Sequence, residues 1–483
     1  MSNKYDAIIV GSGIGGLTCG AFLARAGLKV LVLEQHFQIG GYTHSFKRRG
    51  FCFESAVHSV PMSENGMVMH YLKLLGVADS VKAIPLNSMY TSMWPDYAYT
   101  MPADLEELKA NLIKDFPSEK DGITALLDSM CSFYSSVIAP VKEGELDELK
   151  IYRAFLNKHM NQSYKEYLDS FVKDEKLKRI FYSQWPFGGT PPSQAPVAFY
   201  VLMFIMHVME GSHYMEGGFC KLAETLASVI TNNGGEVLTR KKVIKIEVED
   251  GLAKRVITEK GDLFDADLIV SNMSPYVLHR NILDEKHRNK LWLRRLNNLN
   301  PSVSSVIIYL GFSAPIDHII KDNITFWYAH DDDDAIFENT NTIDVTEPDH
   351  LVFLNSAHDS AGPTLTIMSF IRQSCSQNWK EDKKTYAQKM LDKTFKLFPE
   401  MRDLVSITVT GSPDTFERYT ANTGGALYGF ENTKSIYGEA KLPLNTHIKN
   451  LFQTGHWGKP GGGIWNAMLN GYNAYLTIKK NRE

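Results

Sequence analysis

The tightest constraint on this chain is its opening run, YDAIIVGSGIGGLTCGAFLARAGLKVLVLEQ. Tyr5 to Val10 is short and rich in β-branched residues, which reads as a buried strand. Gly11-Ser12-Gly13-Ile14-Gly15-Gly16 follows at once. Next comes a helical segment with Leu17, Ala21 and Ala24 on one face, ending at Gly27 as its C-cap. Lys29 to Glu34 reads as a second strand, so the run is a complete βαβ unit. Gly11 permits the tight turn out of the strand, Gly13 lets the backbone approach a pyrophosphate, and Gly16 lets the helix pack close to the sheet. The start of the helix turns its free N–H groups toward the phosphate charge, with Ser12, Ile14 and Gly15 completing that turn. Glu34, 18 residues beyond Gly16, is placed to accept hydrogen bonds from a ribose diol. An ordinary α/β turn would leave Glu34 without a reason, so dinucleotide binding is the better reading.

A chain of 483 residues is long enough for two or three domains. Lys plus Arg total 51 against 55 Asp plus Glu, a formal charge of −4 that argues against a nucleic-acid partner. Hydrophobic residues at 44% and charged residues at 22% argue for a soluble globular chain rather than a disordered one. Cys19, Cys52, Cys131, Cys220 and Cys375 are scattered and odd in number, which suggests neither a disulfide framework nor a zinc site and fits a reducing, cytoplasmic setting. The N-terminal strand begins too early to leave room for a signal peptide. The longest apolar stretch, Ala195 to Met209, is too short to span a bilayer, though peripheral membrane contact stays open.

The segment after Glu34 carries a second glycine pair, Gly40-Gly41. It resembles the extended fingerprint of flavoproteins with two dinucleotide-binding domains, in which a loop of small residues closes over the pyrophosphate. Gly40, Gly41, Thr43 and Ser45 are the candidates for that closure. Gln35 stands on the adenosine side, where this class often carries a basic residue. Gly50 to His58 resembles the family segment that runs past the isoalloxazine ring, with Ala56 in place of the usual glycine and His58 near the ring; a structural histidine is the plainer alternative.

The C-terminal run NLFQTGHWGKPGGGIWNAMLNGYNAYL repeats the logic of the first motif. Leu451 to Thr454 reads as a strand, Gly455 to Gly463 as a glycine-rich loop and Ile464 to Leu476 as a helix. That helix would point its N-terminus at an anion or at charge developing on a reduced flavin. Gly455, His456, Gly462, Gly463 and Ile464 are the candidate contacts. A nicotinamide site would need only the N-terminal unit. FAD is long, so two nucleotide-type loops at opposite ends of the chain suggest one closed FAD site.

These runs, with YMEGGFCKLAETLA in the middle, resemble the phytoene desaturase, carotenoid isomerase and retinol saturase family of amine-oxidase-like flavoproteins. The resemblance covers about the first 60 and last 70 residues and a patch near 214–280. SPDTFERY at Ser412 to Tyr419 leans toward the isomerase and saturase branch. The resemblance implies an α/β fold: a Rossmann-like FAD-binding domain (1–84, 214–294, 424–483) and a discontinuous α+β substrate domain (85–213, 295–423) with a sheet floor and helical cap. In the middle patch, Lys221 to Ile230 reads as a helix, and Glu236 to Leu238, Val243 to Val248, Val256 to Thr258 and Leu268 to Ser271 as strands. The resemblance sets the backbone of Val243 against the adenine and Asn272 at the end of the sheet.

On the substrate side, the stretch from Pro85 to His213 reads as mostly helical. It is dense in Tyr182, Trp185, Phe187, Phe199, Tyr200, Met203, Phe204 and Met206, which suits a long hydrophobic ligand, although core packing explains most single residues. Val303 to Leu310 and Leu365 to Phe370 would make a floor sheet. Asp331 to Asp334 lacks a calcium-loop pattern and reads as a solvated loop, with no metal expected. Phe416 to Tyr419 would either sit over the flavin or hold a Glu417–Arg418 ion pair. No nucleophile–base pair is visible, so the flavin carries the chemistry, with His58, Glu417 and His456 as polar candidates for moving a proton. The leading expectation is a FAD-dependent oxidoreductase acting on carbon–carbon double bonds of an isoprenoid or polyene, with an unidentified electron partner. An amine oxidase-like enzyme, with Trp457 as an aromatic wall, and a non-catalytic flavin scaffold are the alternatives.

Overall fold

The computed structural model describes residues 4–143, 155, 157–356, 362–436, 441–459 and 461–482. Lys4–Val10, the helix Ile14–Arg25 and Val30–Leu33 form the expected βαβ unit. Around it a sheet runs in the order Glu236–Leu238, Val30–Leu33, Lys4–Val10, Leu263–Ser271, all parallel, with Leu451–Gln453 parallel to the last. Val243–Glu249 and Leu252–Thr258 extend it as an antiparallel pair. The sheet therefore takes strands from the beginning, the middle and the end of the chain.

Register then fixes the site. Val10 pairs with Ser271, and Ser271 pairs with Gln453. The three chain segments thus leave the sheet at one edge, delivering Gly11, Asn272 and Gly455 side by side. Strand order reverses at Lys4–Val10, and in open α/β sheets ligands bind in the crevice at such a switch point, beyond the strand C-termini. The backbone seals the junction: Asn272 N–H donates to Val10 O at 2.8 Å, and Thr454 N–H to Ser271 O at 2.9 Å.

A second sheet has seven strands in the order Val405–Gly411, Ser304–Phe312, Thr364–Ile371, His350–Ser356, Ile324–Tyr328, Ser88–Trp94, Tyr97–Pro102. Side chains alternate across it. Val306, Ile308, Leu351, Phe353, Leu365 and Ile367 pack into the cluster that holds the helix Trp379–Leu397, through Trp379, Tyr386 and Met390. Phe326, Val352, Met368 and Phe370 face the other way, into the main core. This is the expected floor, with one difference. The hairpin Ser88–Trp94 and Tyr97–Pro102 lies in the stretch read as mostly helical. It is strand because Ser88 to Trp94 alternates toward a buried face and Thr91 to Met93 pair in parallel with Thr325 to Trp327.

The apolar run resolves as the helix Val197–Met209, buried along most of its length with Met209 exposed at its end. The four-aspartate run also differs from the solvated loop expected. Asp333 begins the helix Asp333–Asn339, and Asp332 caps it by accepting from Ala335 N–H at 3.0 Å, a favourable place for carboxylates beside free N–H groups. Asp331 pairs with Arg179 and Asp334 accepts from Ser193. Among the described residues no group of His, Cys, Asp or Glu is arranged to hold a metal, and no helix is long and apolar enough to cross a membrane.

Candidate active site

A cavity of about 780 Å³ occupies the switch-point crevice and continues to the floor sheet. Both glycine-rich loops line it: Gly11, Gly13, Ile14 and Gly15 from the first, and Gly455, His456, Gly462, Gly463 and Ile464 from the last. The loops touch. A Cβ on Gly15 would lie 2.6 Å from Gly455 Cα and 2.8 Å from its N. Asn272 is wedged between them, its amide against both Gly13 and Gly455. Pro460 lies outside the described residues.

Two helices begin at this wall, Ile14–Arg25 and Ile464–Arg482. Neither carries an acidic residue in its first turn, so no carboxylate of either helix's own first turn offsets the positive field at its N-terminus. The second glycine pair docks on the first loop. Gly40 N–H donates to Ser12 O at 3.0 Å, and Gly41, with Thr43, lines the cavity beside Gly13.

Glu34 lies in the wall and is held from behind. Its Oε2 accepts from Ser12 N–H at 2.8 Å and from the Ser12 hydroxyl at 2.7 Å, and its Oε1 from His36 N–H at 2.8 Å. A carboxylate can accept about four hydrogen bonds, so Glu34, which lines the cavity, keeps acceptor capacity to spare. Ser12 is thus a clamp on Glu34 and does not itself line the cavity. Gly16 is absent from the wall as well; it abuts Gly11 O and Asn272 Cβ, the close helix–sheet contact. Ser45 points away, donating to Glu54 Oε1 at 3.0 Å. Gln35 and Val243 both line the cavity, the latter beside Lys241 and Lys242, which sequence reasoning missed. Lys241 is paired with Asp262 at 2.8 Å and Lys242 with Glu259 at 3.2 Å.

Beyond the loops the lining turns apolar: Phe187, Phe199, Leu202, Met203, Met206, Phe326, Val352, Met368 and Phe370. Of the dense aromatic and methionine set, Phe187, Phe199, Met203 and Met206 reach the cavity. Trp185, Tyr200 and Phe204 are buried in the core, and Tyr182 packs there too.

The three polar candidates all line the cavity. Glu417 sits on the helix Pro413–Thr420, where partial burial pushes its carboxyl above the usual range. Its neighbour Arg418 turns away and lies over the Tyr419 ring, so the two form no ion pair. His456 Nε2 lies 3.0 Å from Asn422 Oδ1, which also accepts from Trp457 Nε1 at 2.8 Å. Trp457 is therefore no wall of this cavity; it is buried against Tyr276 and Phe430. Asn422 carries no sequence signal, since what it does depends on partners 34 and 35 residues away.

Burial holds four imidazoles neutral, with the values of His58, His207, His279 and His456 each pushed down to about 4; the nearby Lys441 ammonium adds to the effect at His456. The unfolded chain then binds more protons than the folded one between those values and the ordinary 6.5. The stability these four groups contribute is full above that window and is lost as the pH falls through it, by at most about 1.4 kcal/mol per pH unit per group, with the Asp333 carboxyl, raised by burial to about 7, offsetting part of it. Melting temperature measured between about pH 7 and pH 4 is expected to fall steeply once below about pH 6. A flat profile would mean these histidines are not held neutral.

The family described as flavin containing amine oxidoreductase matches residues 14–474. An all-trans-retinol 13,14-reductase of Danio rerio is 24% identical over 98% of this chain and 84% of its own length. Prolycopene isomerase 2, chloroplastic, of an Oncidium hybrid cultivar is 25% identical over 96% of this chain and 82% of its own. The crystal structure of an oxidoreductase from Methanosarcina mazei superposes with a TM-score of 0.64 at 18% identity, covering 99% of this chain and all of that one, a likeness of fold.

Proposed function

Because the chain belongs to the flavin containing amine oxidoreductase family, we propose that it is a FAD-dependent oxidoreductase acting on the carbon–carbon double bonds of a hydrophobic isoprenoid or polyene. The observation that carries this reading is the continuity of one cavity from the two glycine loops into the apolar chamber. The residues fit the group. Backbone without side chains lines the first loop, two helix N-termini open onto the wall, and Glu34 is clamped with acceptor capacity to spare. In this reading Gly13, Ile14 and Gly15 hold the pyrophosphate and Glu34 takes the ribose. Gln35 and Val243 lie toward the adenine, and Gly462, Gly463 and Ile464 face the pyrimidine end of the ring. Gly40, Gly41 and Thr43 close over the middle.

FAD, when bound, supplies hydride acceptance or donation at its ring. The chain's own part is positioning. Phe326, Val352, Met368 and Phe370 from the floor, and Phe199, Leu202, Met203 and Met206 from the helix, would hold an extended apolar molecule against the ring and keep water out. Glu417, His58 and His456 are the groups able to hold or pass a proton at the edge of that chamber. We divide the chain accordingly, with 1–84, 214–294 and 424–483 around the cofactor and 85–213 and 295–423 around the substrate. This division is supported by which segments supply each sheet. One relative is named for reducing all-trans-retinol and another for isomerising prolycopene, which supports a polyene substrate. We place the enzyme in the cytoplasm with peripheral membrane contact, a setting in keeping with five free cysteines and a lipid-like substrate.

The test is anaerobic incubation of the flavin-loaded protein with polyenes, with reduced and oxidised flavin in separate arms. Product mass separates desaturation, saturation and isomerisation. Bleaching of the flavin by an amine, with every polyene inert, would instead favour the amine oxidase reading.

A further inference from the structure

A second hollow, of about 230 Å³, shares His36, Gln38, Tyr42 and His44 with the main cavity and extends to the edge strand Val405–Gly411 of the floor sheet. Three separate elements bring a cation to it: Arg48 from the hairpin Ser45–Arg48 and Phe51–Glu54, Lys383 from the helix Trp379–Leu397, and Arg418 from the helix Pro413–Thr420. Among the described residues none of the three forms an ion pair, and no Asp or Glu lines the hollow. Glu34 and Glu54, whose charge reaches His44, lie outside its lining. In a chain of formal charge −4 this is a local reversal of sign.

Aromatic rings join the cations into a belt. The Arg418 guanidinium lies 4.6 Å from the centre of the Tyr419 ring and donates to the Tyr419 hydroxyl at 2.9 Å. Tyr419 meets His36 edge-on at 5.0 Å, His36 meets His44 at 5.1 Å, and His44 reaches Phe46 at 6.4 Å. Arg48 closes the series over the Phe46 ring at 5.4 Å. Phe37 packs on His36 at 4.3 Å and stays half exposed. His36 Nδ1 lies 3.3 Å from Gln38 O, and His44 Nδ1 lies 2.7 Å from Gly41 O, so Nδ1 carries the proton in each ring. Burial lowers the pKa of both imidazoles and keeps them neutral, which leaves Arg48, Lys383 and Arg418 as the charge of the hollow.

Unpaired cations beside open rings call for an anion and a flat face in one ligand. Guanidinium groups fork onto phosphate oxygens, and aromatic rings take a nucleobase on their faces. A bare phosphate would leave the rings wet, and a neutral aromatic would leave the cations without an anion. The hollow has less than a third of the main cavity's 780 Å³, room for one nucleotide rather than a second dinucleotide. We propose that it binds a mononucleotide unit beside the flavin, with the phosphate on Arg48, Lys383 and Arg418 and the base against the rings of Phe37, His36 and Tyr419. That unit occurs free and as the adenylate end of a coenzyme.

Isothermal titration of the flavin-loaded protein at low ionic strength compares AMP, adenosine and inorganic phosphate. AMP is expected to bind at least about tenfold more tightly than either of the others, without releasing flavin. Arg48→Ala and Arg418→Ala change exposed side chains, and each is expected to weaken AMP about tenfold while leaving adenosine unchanged. Phe37→Ala, at a half-exposed ring, is expected to weaken AMP and adenosine together and leave phosphate unchanged. A nicotinamide dinucleotide is titrated in a separate arm. Tighter binding than AMP assigns the coenzyme as the source and weaker binding the free nucleotide, and either supports the site. Absence of AMP binding, displacement of flavin by AMP, phosphate binding as tightly as AMP, or AMP affinity untouched in both arginine variants would each overturn the proposal. None of these results bears on the polyene reading, which the anaerobic incubation tests separately.

Discussion

Gly15→Ala is expected to give a protein that purifies colourless and cannot be reconstituted with FAD. The new Cβ would sit 2.6 Å from Gly455 Cα, 2.8 Å from Gly455 N and 3.1 Å from Ala467 O. All three are backbone atoms, so no side-chain rotation relieves the clash. The helix Ile14–Arg25 also meets the helix Ile464–Arg482 here, with Gly471 against Gly15 O, which leaves no slack for the first helix to withdraw. The loops must part, and a site built between them opens. Overpacking of this kind costs about 1–3 kcal/mol in a well-packed core, so a lower melting temperature should accompany the loss of flavin. Gly27→Asn is the matched control. A Cβ there meets nothing within 4 Å, and the left-handed backbone, φ 89°, is one that Asn tolerates. That variant should keep its colour. Retention of full flavin by Gly15→Ala would show that contact between the loops is incidental.

Replacing Glu34 by Ala should weaken FAD binding by at least about 100-fold, near 2.7 kcal/mol. The carboxylate has two duties. It would take the ribose diol, and it accepts from Ser12 N–H, the Ser12 hydroxyl and His36 N–H. Its removal leaves those donors without their acceptor in a wall where Ser12 is fully buried. Ser12 also anchors Gly40, whose N–H reaches both Ser12 O and, at 3.3 Å, Ser12 Oγ. The change therefore loosens the closing loop as well as the ribose end. Glu34→Gln keeps one acceptor oxygen and should cost less. Titration of apoprotein with FAD, followed by flavin fluorescence, measures both. Equal affinity in wild type and Glu34→Ala would place the adenosine elsewhere.

The cofactor half of the fold was legible because its signals are local. Gly11 to Gly16 and Glu34 lie within one βαβ unit, and Gly455 to Ile464 repeat a strand, loop and helix within a few residues. The substrate half hid what depends on distant partners. The strand Ser88–Trp94 pairs in parallel with Ile324–Tyr328, and no short-range pattern announces such a pairing. Trp457 looked available as an aromatic wall, yet its indole is committed to Asn422. Ser45 looked like a loop contact, yet it pairs across a short ladder with Glu54. His207 reads as an interruption in an apolar run. Its place beside Phe187 and His58 follows only once the helix Val197–Met209 is docked over the cavity.

The central claim is that both ends of the chain grip one flavin. A crystal structure of the protein reconstituted with FAD tests it most directly. The pyrophosphate should lie on Gly13 to Gly15, the ribose on Glu34, and the ring against Gly462 to Ile464 with one face open to the Phe326 and Met368 chamber. A flavin held by the first loop alone, with its ring outside the apolar chamber, would contradict the claim.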